Sequence, residues 1–247
     1  MGPLARKALR AGTGGLRGLL VGMTVGLVAS AALAQRTATF FEPTAAKGPV
    51  VVLVSGAGGI QAYQEFGPRL AALGFYTVLV DGRDIMIPPW ESPAPQGHAH
   101  LAAVIQAALS APQASSSKAM LVGFSLGGAG VLVHGAPMKD QVAAVVAYYP
   151  ATAVMGQDLA AVTARWQAPV LVLAGEKDTY RNCCLVATMR ALESAPKQVP
   201  FELVIYPQAN HGVNLESYPL FFRSEDAEDA WNRTVAFLQK YRPAHDR

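Results

Sequence analysis

Ser125, Asp178 and His211 are residues of the types, and in the order, that could carry out nucleophilic catalysis. A serine hydroxyl is a weak nucleophile at neutral pH. It needs a base within hydrogen-bond reach, and the base needs a carboxylate to hold its tautomer and stabilise its cation. Ser125 is the centre of Gly123-Phe124-Ser125-Leu126-Gly127, a G-x-S-x-G pattern. Alone this pattern is weak evidence, but here an apolar run over 119–122 leads in and a small-residue segment over 128–133 leads out as a helix start. At such a strand-to-helix turn, a side chain at either glycine would clash, and the serine takes strained dihedrals that lift its hydroxyl above the sheet edge. The helix start aims free N–H groups at the same point, where an oxyanion would form. The N–H of Leu126 is therefore one expected oxyanion donor.

The acid and the base follow in sequence. Asp178 ends Gly175-Glu176-Lys177-Asp178, just past an apolar run over 169–175, and His211 sits in Asn210-His211-Gly212, just past a second run over 201–206. Taken singly, Asp178 could cap a helix beginning near Asn182 and His211 could be a solvated loop histidine. Taken together, three such residues at three strand ends point to a Ser-His-Asp triad. Glu176 is the rival acid, but it leaves less chain to turn back toward the histidine. A second oxyanion donor is expected from Ala57 or Gly58, in Ser55-Gly56-Ala57-Gly58-Gly59 after the β-branched run 49–55. That loop lacks the last glycine of G-x-G-x-x-G and the Lys-Ser/Thr of a phosphate loop, so a nucleotide site is not read there. His134 reads as packed on the elbow helix. His98 and His100, two apart and without nearby cysteine or acid ligands, read as helix-start residues and not as a metal site. No metal and no cofactor are expected.

These residues need a scaffold that brings strand ends together. Strand-like runs at 37–41, 49–55, 75–81, 119–122, 142–148, 169–175 and 201–206 alternate with helical patterns at 63–73, 98–109, 183–194 and 226–241. That alternation implies a doubly wound, largely parallel α/β sheet flanked by helices, with functional loops at the strands' carboxyl ends. The stretch 82–97 carries four prolines and can hold neither helix nor strand for long. It reads as a pocket-shaping loop, with Met86, Ile87 and Trp90 as pocket residues.

At 247 residues and 51% hydrophobic content, the chain can bury one sizeable core. Four of its 20 basic residues (Arg6, Lys7, Arg10 and Arg17) lie in the first 34 positions, which contain no acid; the rest holds 16 basic against 17 acidic residues. No basic block remains for a nucleic acid. The N-terminal basic region, the uncharged run 19–33 and Ala32-Leu33-Ala34 match an export signal over 1–34, cleaved before Gln35. The competing reading is a membrane anchor, but the run is shorter than the roughly 20 residues needed to span. The mature domain is then 35–247, exported to the periplasm or medium and free of the membrane. The only cysteines, Cys183 and Cys184, are adjacent. They could close a small ring in an oxidising compartment, but they read as two packed, non-catalytic thiols.

On these motifs the chain resembles the α/β-hydrolases, whose triads run Ser, Asp, His, and within them the dienelactone hydrolase family. The resemblance covers roughly 50–241. It implies a single domain with seven or eight mostly parallel strands, and cofactor-free hydrolysis of small-molecule esters or lactones. Two departures matter. The family's namesake enzymes carry a cysteine in the elbow and a glutamate after the first core strand, whereas this chain has Ser125 and runs Ser55-Gly56-Ala57. The expectation is therefore an exported serine hydrolase acting on carboxylic esters or lactones. The alternatives are a peptidase or amidase of the same fold, or a binding protein that keeps the fold without turnover.

Overall fold

A computed structural model describes residues 38–88, 95–156 and 158–244. The export segment and Trp90 lie outside the described residues. Seven strands form one sheet: β1 (Thr39–Phe41), β2 (Val50–Val54), β3 (Tyr76–Val80), β4 (Ala119–Phe124), β5 (Val142–Tyr148), β6 (Val170–Gly175) and β7 (Phe201–Tyr206). Their spatial order is β1-β3-β2-β4-β5-β6-β7. Edge strand β1 pairs antiparallel with β3, and every other pairing is parallel.

The continuous apolar runs make central strands because both faces of the sheet are covered. In β2, Val50, Val52 and Val54 enter one core layer while Val51 and Leu53 enter the other. Helices supply the cover: α1 (Phe66–Ala72), α2 (Pro95–Leu109), α3 (Leu126–Gly130), α4 (Leu159–Thr163), α5 (Val186–Ser194) and α6 (Ser224–Lys240). Helix α2 begins at Pro95, ahead of the expected 98, because proline's fixed φ and missing N–H suit a helix's first turn. After α3 the chain widens into a π-helical turn, Val131–Gly135, where the Leu132 carbonyl accepts the buried Trp166 indole N–H at 2.9 Å. On the opposite face, the Tyr148 hydroxyl donates to the Ala230 carbonyl at 3.1 Å and meets Thr234 Oγ1 at 2.7 Å, which fastens α6 to the sheet.

The chain winds outward from β2 to β3, then crosses back to β4 on the other side. The crevice at this reversal, beyond the carboxyl ends of β2 and β4, is where open α/β sheets bind ligands. The loops after β6 and β7 open on the same side of the sheet. No helix among the described residues is long and apolar enough to cross a membrane.

Candidate active site

Ser125 stands between β4 and α3 with φ 51° and ψ −112°. That left-handed backbone is uncommon for a side-chain-bearing residue and persists only when the surroundings enforce it. The flanking glycines supply the enforcement. A Cβ at Gly127 would lie 2.3 Å from the Val54 carbonyl oxygen and 2.4 Å from that of Ser55, and one at Gly123 would lie 2.4 Å from the Gly127 carbonyl oxygen. The elbow therefore nests against the end of β2 at a distance that only glycine permits. The Ser125 N–H is tied to the Tyr148 carbonyl at 3.0 Å, and its own carbonyl accepts from Ala129 and Ala151 at 3.0 and 2.9 Å.

Ser125 Oγ lies 3.0 Å from His211 Nε2, and His211 Nδ1 lies 2.7 Å from Asp178 Oδ2. A carboxylate can only accept, so Nδ1–H donates to Asp178 and Nε2 is left to accept the serine proton. Asp178 has no exposed side-chain surface, and its other oxygen accepts the Tyr180 N–H at 3.0 Å. Two rings hold the imidazole: Tyr180 stacks on it at 4.7 Å and 12°, and Tyr149 meets it edge-on at 4.7 Å. The rival acid, Glu176, instead pairs with Arg190 at 2.9 Å on the surface. His134 is buried, as its place on the elbow helix implied.

Ser125 and His211 open onto a pocket lined by Ala57, Gly58, Tyr63, Tyr149, Leu215 and Tyr218, with Tyr180, Gly212 and Phe221 completing it. In the glycine loop, the Gly59 N–H closes onto the Gly56 carbonyl at 3.1 Å, while the N–H groups of Ala57 and Gly58 have no acceptor among the described residues. Leu126 opens α3, where backbone N–H groups lack intrahelical partners. Ala57 and Gly58 line the same pocket as Ser125, and Leu126 is the next residue in the chain. Burial, reinforced by the neighbouring Tyr218, pushes the Tyr63 phenol well above its ordinary range, and burial does the same to Tyr149. Both remain neutral hydroxyls, and Tyr149 donates to Asn214 Oδ1 at 2.8 Å.

Met86 and Ile87 do not line this pocket. Met86 is buried under α3, where a Cβ on Gly130 would come within 3.3 Å of its Cγ. The loop after β3 turns down as a short 3₁₀ segment, Gly82–Asp84, capped by the Asp81 carboxylate, and this folds the apolar residues that follow into the core. The residues that sequence reasoning missed come from two other loops. Tyr180, Tyr218, Leu220 and Phe221 account for four of the six large exposed hydrophobic side chains among the described residues, and Tyr180, Tyr218 and Phe221 line the pocket. The visible signal was the apolar run Tyr218-Pro219-Leu220-Phe221-Phe222 in an otherwise loop-like stretch.

The cysteines also differ from expectation. Cys183 and Cys184 are joined in a disulfide, not packed as thiols. Cys183 follows the short 3₁₀ turn Tyr180–Asn182, in which Arg181 and Asn182 have φ of 48° and 54°. This irregular stretch delays α5 to Val186 and leaves the two sulfurs side by side.

The strand order, the elbow and the loop placement define an α/β-hydrolase fold. The dienelactone hydrolase family model matches 80–242, and the chain belongs to that family. Among solved structures it is similar to a Klebsiella pneumoniae protein assigned to the dienelactone hydrolases, at 26% identity and a TM-score of 0.67, covering 83% of this chain and 92% of that one. A carboxylesterase from Lactobacillus plantarum superposes at a TM-score of 0.62 with 19% identity, covering 82% and 91%. An acylaminoacyl peptidase from Pyrococcus horikoshii gives 0.61 with 17% identity, covering 85% of this chain and 40% of that one. At those identities the last two share the fold alone. No curated protein sequence matches the chain.

Proposed function

We propose that the protein is an exported serine hydrolase that cleaves carboxylic esters or lactones through a Ser125 acyl-enzyme. One observation carries the reading: the unbroken hydrogen-bond chain from Ser125 through His211 to Asp178, with Ser125 held at φ 51° beside free backbone donors. His211 takes the serine proton as Oγ attacks the ester carbonyl. The new oxyanion is held by the N–H of Leu126 and that of Ala57 or Gly58. His211, now cationic against Asp178, gives its proton to the leaving alcohol. It then activates a water that releases the acid and restores the serine.

The pocket favours substrates that are apolar near the scissile bond. Its volume of about 80 Å³ holds one small group, well under the roughly 300–1,000 Å³ of sites that enclose drug-sized ligands. The remainder of the substrate would lie on the collar formed by Tyr180, Tyr218 and Phe221. Apolar side chains clustered at a site mouth gain free energy when a ligand removes them from water.

A fluorophosphonate probe should label the wild-type protein at Ser125 and leave Ser125→Ala unlabelled. Aryl esters, lactones and a dipeptidyl amide, compared at equal concentration, should rank esters or lactones first. Absent labelling together with no turnover of any substrate would leave a non-catalytic hydrolase fold. Export should appear as native protein beginning at Gln35, and an N-terminus still at Met1 would refute it.

A further inference from the structure

The Cys183–Cys184 disulfide has no part in the hydrolytic cycle, yet it lies against its base. Both sulfurs and a ring nitrogen of His211 fall within 4.8 Å of one another. Cys184 is fully buried and Cys183 partly exposed, so a reductant reaches the pair from the Cys183 side. Joined, the sulfurs present no thiolate and bind metals poorly. Separated, they become two soft donors beside an imidazole, a Cys₂His set of the kind that holds zinc with a fourth position open. Zinc bonds of about 2.3 Å to sulfur and 2.0–2.1 Å to nitrogen place tetrahedral neighbours roughly 3.5–3.8 Å apart. No separation in the cluster exceeds 4.8 Å, so the imidazole has at most about an ångström to close, while the two sulfurs move apart once the bond between them is cut.

We infer that reduction of Cys183–Cys184 creates, with His211, a binding site for a thiophilic divalent cation such as zinc, and that filling it turns the hydrolase off. A thiol reductant attacks Cys183 Sγ, the S–S bond breaks, and Cys184 leaves as a thiolate that takes up a proton. A second reductant thiol then resolves the mixed disulfide, releasing the reductant's own disulfide and the Cys183 thiol, so two electrons pass from two reductant thiols to the protein. Zinc displaces the two thiol protons and takes a ring nitrogen of His211. Both nitrogens serve the hydrogen-bond chain, one facing Ser125 and the other Asp178, so ligation at either removes the base. A thiol-rich compartment would keep the reduced, metal-filled form silent, and an oxidising one would release the active enzyme. The inhibitory half of this inference rests on the hydrolase reading; the binding half does not.

The test uses the full chain, oxidised or reduced with a phosphine, which forms the same dithiol while a water oxygen passes to the phosphine oxide. Zinc is titrated against a chromogenic chelator, and cobalt(II) is substituted to report thiolate ligation by its charge-transfer band. The reduced protein should take up one zinc per chain and show the band; the oxidised protein should do neither. His211→Ala should weaken zinc binding at least tenfold while keeping the band. Esterase activity of reduced protein should fall at least tenfold with stoichiometric zinc and return with a chelator, while oxidised protein changes less than twofold. A Cys183→Ser, Cys184→Ser double variant should bind no zinc in either state. Absence of zinc uptake by reduced wild-type protein overturns the inference, whatever the activity shows. Equal zinc inhibition of oxidised and reduced enzyme, or unchanged affinity in His211→Ala, does so as well. Zinc uptake by a protein that hydrolyses nothing would uphold the site while removing the hydrolase reading.

Discussion

Replacing Asp178 with asparagine preserves the side chain's shape, so the surrounding hydrogen bonds decide the outcome. Asp178 Oδ1 accepts the Tyr180 N–H at 3.0 Å, and Oδ2 accepts from His211 Nδ1 at 2.7 Å, with no side-chain surface exposed. Asparagine has one oxygen for these two donors. If that oxygen stays on Tyr180, the amide NH₂ faces Nδ1. The ring proton must then move to Nε2, where it points at Ser125 and blocks the base. If the amide flips, the Tyr180 N–H faces the amide NH₂ of the buried side chain and loses its acceptor, at about 1–3 kcal/mol, which limits the competent orientation by roughly 5- to 150-fold. Even that minority lacks the anion opposite the imidazolium. The two effects together should lower kcat by about 10³–10⁴-fold, the scale on which tautomer loss acts in such triads, with KM little changed. Glu176→Gln removes only an exposed pair with Arg190 at 2.9 Å and should alter kcat by less than about twofold. Initial rates on a chromogenic aryl ester, with circular dichroism to verify folding, measure both. A folded Asp178→Asn enzyme within tenfold of wild type, or a crippled Glu176→Gln enzyme, would show that Asp178 does not orient the base.

Other perturbations test the surrounding structure. Ala57→Pro and Gly58→Pro each delete one backbone donor, and at least one should lower kcat by about 10²–10³-fold; steady-state kinetics showing both fully active would place the second oxyanion donor elsewhere. Gly127→Ala forces a Cβ against the carbonyl oxygens of Val54 and Ser55. It should destabilise the fold by about 1–3 kcal/mol, seen as a lower urea midpoint, and lower activity as the elbow shifts. His134 is lowered to a pKa of about 4 by burial, with His98 and Arg165 adding to the shift. The unfolded chain therefore binds that proton first. His134's contribution is complete above about pH 6.5 and is lost as pH falls toward 4, a change of up to about 3 kcal/mol. In urea titrations across that range, His134→Leu should flatten the acid slope of stability, and an undiminished slope would assign the sensitivity to another group.

The sequence by itself determined the sheet, the elbow and the three residues that meet there. The reason is that each signal is local: an apolar run long enough for a buried strand, glycines flanking a serine, and a polar residue just past a strand's end. Parallel topology then places the carboxyl ends of β2 to β7 on one side, so residues as distant as Ser125 and His211 meet without any contact having to be read from the sequence. Glu176 and Asp178 were also separable on this basis, because turning back to the histidine takes chain length. Only the tertiary structure decided what surrounds them. The paths of loops across the sheet end depend on side-chain packing between segments far apart in sequence, and composition does not encode those paths. The loop after β3 therefore sends Met86 into the core, while the loops after β6 and β7 raise Tyr180, Tyr218 and Phe221 around the mouth. The reading of Cys183 and Cys184 as packed thiols failed for the same reason. Adjacency in sequence permits either thiols or a disulfide, and only the folded chain shows the two sulfurs bonded to each other beside His211.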